Sequence, residues 1–285
     1  MNFLRRYSGI IVVMILIIAN IFIFYADFYR SSAGLVVAFL DIGQGDAIYI
    51  KSPTGTELLV DGGPDGKVLS RLSEIMPFYD REIDLVMASH PDKDHIGGIP
   101  LVMERYEVGR YLESEVESEK NAVDDEIEKV VINRKIKKVN MRRGMKIDLG
   151  GGVVLHILFP DRDSAGLDTN DASIVAKLVY GTTSFLFTGD SPEKIEDYLL
   201  YLDGTILDSD VLKVGHHGSN TSTDNDFVEM VTPTYAVISA GKDNSYGHPH
   251  KEVLDTLEKS QSQILTTAEL GTIIMKSNGQ QITLQ

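Results

Sequence analysis

Ser89-His90-Pro91-Asp92-Lys93-Asp94-His95-Ile96-Gly97-Gly98 sets two imidazoles and two carboxylates within six positions and follows them at once with a glycine pair. Just upstream, residues 83–88 (Ile-Asp-Leu-Val-Met-Ala) form an apolar run of the length of a buried β-strand, so the loop hangs from a strand end. Neutral imidazole and ionised carboxylate hold Zn²⁺, Mn²⁺ or Fe²⁺ where no thiolate is present. The chain contains no cysteine, which excludes disulfides and thiolate ligands together. A charged surface loop is the alternative reading of the ten residues.

Outward from this loop the same arrangement recurs. Residues 35–40, 47–51 and 57–60 pattern as short strands, with helices expected over 67–76 and 98–106. Residues 113–146 have weak periodicity and read as a surface excursion. In the second half, strands over 153–159, 173–180, 183–187, 211–214 and 236–239 alternate with helices over 192–202, 227–231 and 251–258, and two short strands close the chain. Two halves of this kind predict an α/β fold of two sheets packed face to face with helices outside. Asp41, Asp61, the His90–His95 cluster, Asp190, His216, His217 and His248 all fall where strands give way to loops. Five of the seven histidines lie in these loops, a placement that favours a shared site over a charged surface.

The pattern resembles the metallo-β-lactamase superfamily, whose first motif is His-x-His-x-Asp-His after a strand. More narrowly, Phe39-Leu40-Asp41-Ile42-Gly43-Gln44-Gly45-Asp46-Ala47, Asp61-Gly62-Gly63, the Ser89 to Gly98 run, Thr188-Gly189-Asp190, residues 212–219 and Tyr246-Gly247-His248-Pro249 are similar to the extracytoplasmic hydrolase domain of ComEC-type DNA-uptake proteins. The resemblance covers residues 35–285. It implies an αββα sandwich of two mixed β-sheets flanked by helices, and one or two divalent ions, Zn or Mn. By motif, His90 and Asp92 would serve a first metal and Asp94 and His95 a second. Asp190 would bridge them, and His216 would complete the second site. Asp61 is expected to orient a ligand rather than bind metal.

Two departures from the superfamily pattern concern the first metal. Asp92 stands where a second histidine is usual, which makes the site harder and more oxygen-rich. The third-motif histidine is absent, and Asn170 or Asp171 is the available substitute; otherwise the first metal is weakly held or arrives with substrate. Asp94, His217 and His248 are the candidate catalytic residues. Either histidine could protonate a leaving oxygen or bind phosphate, or could simply pack and hydrogen-bond a ligand. Lys213 and Ser219 are candidate phosphate contacts, His156 reads as structural, and His250 has no assigned role.

The net charge of -15 argues against tight nonspecific nucleic-acid binding. An acidic stretch over 113–128 is nevertheless followed by Arg134, Lys135, Lys137, Lys138, Arg142, Arg143 and Lys146, a candidate phosphate-binding patch or a solvated face. At the amino terminus, residues 9–25 are apolar apart from Asn20, with Arg5 and Arg6 before them. This predicts residues 1–30 as a membrane anchor and linker, with the amino terminus cytoplasmic and the 31–285 hydrolase domain outside. A signal peptide cleaved near Ser31-Ser32-Ala33, giving a secreted protein, is the alternative. The functional expectation is a membrane-anchored metal-dependent hydrolase, a phosphodiesterase or nuclease acting on DNA and related to competence, working with a separate channel protein. A hydrolase of small esters, lactones or nucleotides on the same fold, or a degenerate binding module, are the alternatives.

Overall fold

Bursts of Val, Ile, Leu and Phe a few residues long, separated by glycine-bearing turns, become the strands. In the computed structural model the described residues are 2–31, 34–114, 116 and 122–285, and in the first helix the described side chains run from Tyr7 to Phe22. Helix α1 (Asn2–Ser31) precedes β1 (Leu35–Phe39), β2 (Ile48–Lys51), β3 (Glu57–Val60), α2 (Lys67–Ile75), β4 (Glu82–Met87), α3 (Lys93–Ile96), α4 (Ile99–Arg105) and β5 (Glu107–Glu113). After these come α5 (Ala122–Arg134), β6 (Lys137–Asn140), β7 (Lys146–Gly150), β8 (Val153–Phe159), β9 (Val175–Tyr180), β10 (Thr183–Phe187) and α6 (Glu193–Asp203). The chain closes with β11 (Val211–Lys213), α7 (Asn225–Val231), β12 (Tyr235–Ile238), α8 (Lys251–Lys259), β13 (Gln263–Thr266), α9 (Thr267–Leu270), β14 (Ile273–Ser277) and β15 (Ile282–Leu284).

One sheet has the order β15-β14-β1-β2-β3-β4-β5-β6 and the other β13-β12-β11-β10-β9-β8-β7. Their inner faces share a core that includes Phe39, Ile50, Leu58 and Met87 on one side and Leu155, Leu178, Phe185 and Phe187 on the other. Phe39 and Phe187 meet across it with ring centroids 6.3 Å apart. The outer face of the first sheet is covered by Val68 and Leu72 of α2, Val102 and Met103 of α4, and Ile127 and Val131 of α5. Leu199 of α6, Phe227 and Val231 of α7, and Val253 and Leu257 of α8 cover the second. The result is the expected αββα sandwich, stabilised chiefly by apolar burial at about 1.5–3 kcal/mol for each large side chain.

Strands β3, β4, β5 and β6 run parallel, as do β10, β11, β12 and β13. Parallel strands end together. The residues after β3, β4, β10, β11 and β12 therefore open onto one edge of the sandwich, which is how distant sequence positions come to share a site.

One expectation needs correction. Residues 113–146 are not a surface excursion, since α5 and the edge strand β6 lie within them and β7 begins at their end. The four residues of β6 include none that is fully buried, so the strand carries no alternation to read. The amino-terminal stretch does form helix α1, with exposed apolar side chains from Ile10 to Phe22. Yet among the described residues no helix is long and apolar enough to cross a membrane. The expected span, 9–25, passes beyond Phe22, and Ser32 and Ala33 of the cleavage alternative lie outside the described residues.

Candidate metal centre

The loop after β4 is fixed before its ligands are placed. Asp61, at the end of β3, accepts hydrogen bonds from the Ser89 backbone N–H (2.7 Å) and from Ser89 Oγ (2.7 Å). The same carboxylate takes the Nδ1–H of His95 at 2.8 Å. Because the Ser89 hydroxyl hydrogen goes to Asp61, its oxygen is left to accept from His90 Nδ1, 3.0 Å away. On the opposite sheet, His217 Nδ1 donates to the Ser239 carbonyl at 2.9 Å. Each of these three rings is thus held through its outward Nδ1, and its Nε2 faces inward.

Those Nε2 atoms converge on Asp190, which follows β10 and is 2 % exposed. His95 Nε2 is 3.3 Å from Asp190 Oδ1, His217 Nε2 is 3.5 Å from Oδ2, and His90 Nε2 is 3.8 Å from Oδ2. His216 Nε2 also lies 3.7 Å from Oδ2, with its Nδ1 3.0 Å from Thr221 Oγ1. Asp94 Oδ2 is 3.3 Å from His217 Nε2, and Asp92 Oδ2 is 3.7 Å from His90 Nε2. One buried carboxylate therefore sits among four imidazole nitrogens, with two further carboxylates beside them.

This donor set fits divalent cations. His90 Nε2 and Asp190 Oδ1 are buried with no hydrogen-bond partner among the described residues. His95 Nε2 and His217 Nε2 are 3.3 Å apart, a contact in which two lone pairs would repel unless a proton or a cation lies between them. Burial pushes His90 down to about 4 and so keeps it in the neutral, ligating form. For His217 burial acts in the same direction, but the charges of Asp190 and Asp46 outweigh it and raise the ring to about 9. His95 is likewise raised, against its burial, by Asp190 and Asp61.

Backbone geometry shows what the arrangement demands. Asp61, His216 and His217 have φ of 59°, 46° and 56°, in the left-handed region. Non-glycine residues held there cost on the order of 1–3 kcal/mol each, and such residues cluster at functional sites. The His216 N–H is anchored on the Gly189 carbonyl at 3.1 Å. Gly45 (φ 120°) packs so tightly on α3 that a Cβ would stand 2.1 Å from the Asp94 carbonyl oxygen. Only glycine fits there.

Residues 40–242 match the family model described as the metallo-beta-lactamase superfamily. The chain belongs to the metallo-β-lactamase superfamily. It is 31% identical over 263 residues to ComE operon protein 3 of Bacillus subtilis, covering 83% of this chain and 32% of that protein. Recombination protein 2 of Haemophilus influenzae is 31% identical over 242 residues, covering 82% of this chain and 28% of that protein. Competence protein ComA of Neisseria gonorrhoeae is 30% identical over 233 residues, covering 80% and 30%. The chain thus spans about a third of the length of these relatives. Two solved structures share the fold. CmlA, a diiron β-hydroxylase from Streptomyces venezuelae, has a TM-score of 0.54 at 14% identity, covering 86% of this chain and 54% of its own. Zn²⁺-bound PqqB from Methylobacterium extorquens has a TM-score of 0.51 at 10% identity, covering 81% and 97%.

Within this superfamily member, the residues singled out in the sequence separate into those at the centre and those outside it. His90, Asp92, Asp94, His95, Asp190, His216 and His217 are brought together. His248 stands at the rim, its ring centroid 5.8 Å from that of His216. Burial and then the neighbouring His250 and His216 lower it to about 4. Asp171 is paired with Lys194 at 2.5 Å, whereas the Asn170 side-chain oxygen is buried and without a hydrogen-bond partner among the described residues. Asp41 is occupied by Arg71 at 3.1 Å.

Asp46 received no role in the sequence reading, although it closes the Gly43-Gln44-Gly45-Asp46 loop. Asp46, His95, Asp190 and His217 each offer a donor atom within 4.8 Å of the others. Asp46 nevertheless approaches the rings from their Nδ1 edges, 3.6 Å from His217 and 3.9 Å from His95, and its Oδ2 is 2.6 Å from Lys213 Nζ. It therefore braces the two rings from behind. This also corrects Lys213 as a phosphate contact, because its ammonium is 1 % exposed and spent on Asp46 and the Val214 carbonyl. Ser219 Oγ is 3.0 Å from Thr221 Oγ1, within the loop that supports His216.

Three cations of the basic stretch are engaged within the fold. Arg143 forms two bonds to Asp203 (2.7 and 2.6 Å), Arg134 binds the Tyr106 and Glu104 carbonyls, and Lys138 pairs with Glu113 and Glu128. These cations hold the fold together.

Proposed function

We propose that this chain is a metal-dependent hydrolase of phosphodiesters, with DNA as its substrate class. The observation that carries the reading is the convergence of four imidazole Nε2 atoms on the buried Asp190 carboxylate. His90, Asp92, Asp190 and His216 would hold one cation and Asp94, His95, His217 and Asp190 the other, which moves His216 from the second site that the resemblance implies and makes His217 a ligand. Divalent ions supply Lewis acidity toward a phosphoryl oxygen and make water a stronger acid.

The protein's part is positioning. Asp61, Ser89 and Ser239 lock the rings, and Asp46 with Lys213 braces them, so little reorganisation is left for the reaction. Asp92 and Asp94, with side chains 39% and 35% exposed, are the carboxylates of the centre that face the opening, and Asp94, beside His217, accepts the proton of the attacking water. His248, held neutral at the rim, donates a hydrogen bond to a substrate oxygen instead of acting as an imidazolium acid.

Kinship with proteins named for competence and recombination supports DNA as the substrate and a role in DNA uptake alongside a separate channel protein. The apolar run over residues 9–25, with Arg5 and Arg6 before it, supports a membrane-anchored enzyme whose catalytic domain faces outward. Purified chain supplied with Mn²⁺ or Zn²⁺ should cleave single-stranded DNA and bis(p-nitrophenyl) phosphate, and Asp94→Ala should abolish both activities. Hydrolysis of a lactone panel with no turnover of either diester would defeat the reading.

A further inference from the structure

Beside the centre, and opening from His90, lies a cavity of about 470 Å³, a size typical of small-molecule sites. Its floor is the end of β4 and β5, and α5 roofs it. Among the described residues, Glu113 and Glu128 line it with one ammonium, Lys138, between them. Lys138 is shared between Glu113, at 2.6 Å, and Glu128. Such walls repel phosphate, so whatever enters is not the scissile group. Each carboxylate has about four lone-pair sites, and one shared ammonium cannot fill those of two, so the cavity is rich in acceptors.

A second observation points to a ligand. Ser114, 5 % exposed, lines this cavity, and its Oγ has no hydrogen-bond partner among the described residues. A buried hydroxyl left unpaired costs free energy that a bound polar group would recover. The apolar surfaces come from Pro91, Tyr111 and Ile127, suited to a planar group held between them. An apolar slot with an acceptor-rich edge matches a nucleobase that presents amino hydrogens, since carboxylates read an exocyclic amino group directly.

We propose that this cavity is a base subsite, receiving from the strand beside the scissile phosphate a nucleobase that carries an exocyclic amino group. It rests on the phosphodiesterase reading for its place in the reaction, but nucleoside binding tests it separately. Cytosine donates an amino group where thymine presents a carbonyl oxygen, which the carboxylates would repel.

The test uses the full chain with Mn²⁺, deoxycytidine and thymidine as binding probes followed by ligand-observed NMR, and short oligodeoxycytidylate, oligothymidylate and bis(p-nitrophenyl) phosphate as substrates. Deoxycytidine should bind about tenfold more tightly than thymidine, with a matching ratio of kcat/KM for the oligonucleotides. Val116→Trp, which narrows the cavity from a half-buried position in its lining, should erase the ratio while hydrolysis of the small diester stays within about twofold. Glu128→Gln, on the exposed side of α5, should lower the ratio without endangering the fold. Equal binding of the two nucleosides with diester hydrolysis intact would overturn the subsite and leave the phosphodiesterase reading standing. A retained deoxycytidine preference without any diester hydrolysis would support the subsite and sink the phosphodiesterase reading.

Discussion

Ser89 and Asp61 do more for the centre than their distance from any cation suggests. Together they dictate which nitrogen of His90 and His95 carries the proton, and ligation fails if the tautomer is wrong. Asp61→Asn should therefore weaken metal affinity by about 10–100-fold, read by competition with a chromogenic chelator. An unchanged affinity would mean the rings are held by packing alone. Cation uptake should also release protons near neutral pH, because His217 sits at about 9 without a cation and must give up its Nε2 proton to ligate. Titration calorimetry in buffers of different ionisation enthalpy measures that release.

At this scale the sequence was informative where a ligand followed a strand end, as with Asp190 and His90. It was silent where chain geometry decides. Nothing in Gly215-His216-His217-Gly218 announces two successive left-handed residues that send both rings toward Asp190. Asp46 was missed because its loop reads as a glycine turn, and only the fold brings it behind rings from both sheets.

Among the elements, α6 and the loop after β11 are joined by Glu196, a fully buried carboxylate. It accepts the Thr223 N–H at 2.8 Å on each oxygen and the Asp224 N–H at 3.3 Å. Burial raises it to about 8, with those N–H groups opposing the rise. A carboxyl raised above its unfolded value contributes stability that is fully present below about pH 4.5 and is lost as pH climbs through about 8. The stability of Glu196→Gln relative to the natural chain should accordingly improve between pH 5 and 9, as measured by urea unfolding. A difference independent of pH would show that the carboxyl is ionised throughout.

Arg143 makes a second test at this level. Arg143→Ala leaves the buried Asp203 carboxylate unpaired and should destabilise the fold by about 3 kcal/mol. Loss of DNA cleavage at unchanged stability would instead restore Arg143 as a DNA contact. The strands and helices of the second half were legible because buried positions alternate or repeat cleanly. Residues 113–146 were not, because an exposed edge strand and a charged helix owe their form to neighbours and carry little pattern of their own.

For the molecule as a whole, the parallel strand ends are the organising fact. Two sheets that pack face to face put their loops along one edge, and the centre draws on both: Asp61, His90, Asp94 and His95 from the first, Asp190, His216 and His217 from the second. The sandwich and the centre are therefore interdependent, and cation binding should raise Tm, by mass action on a site absent from the unfolded chain. The net charge of -15 adds a condition, since divalent ions both fill the centre and lessen repulsion between the protein and DNA.

The central claim is that Asp190 organises a centre for two cations. Elemental analysis of the full chain, equilibrated with Mn²⁺ or Zn²⁺ and then freed of excess metal, tests it most directly when run beside Asp190→Asn. The natural chain should retain about two equivalents and the variant one or none, in keeping with a carboxylate shared between two sites. A natural chain that retains no metal, or a variant that holds as much as the natural chain, would contradict the account.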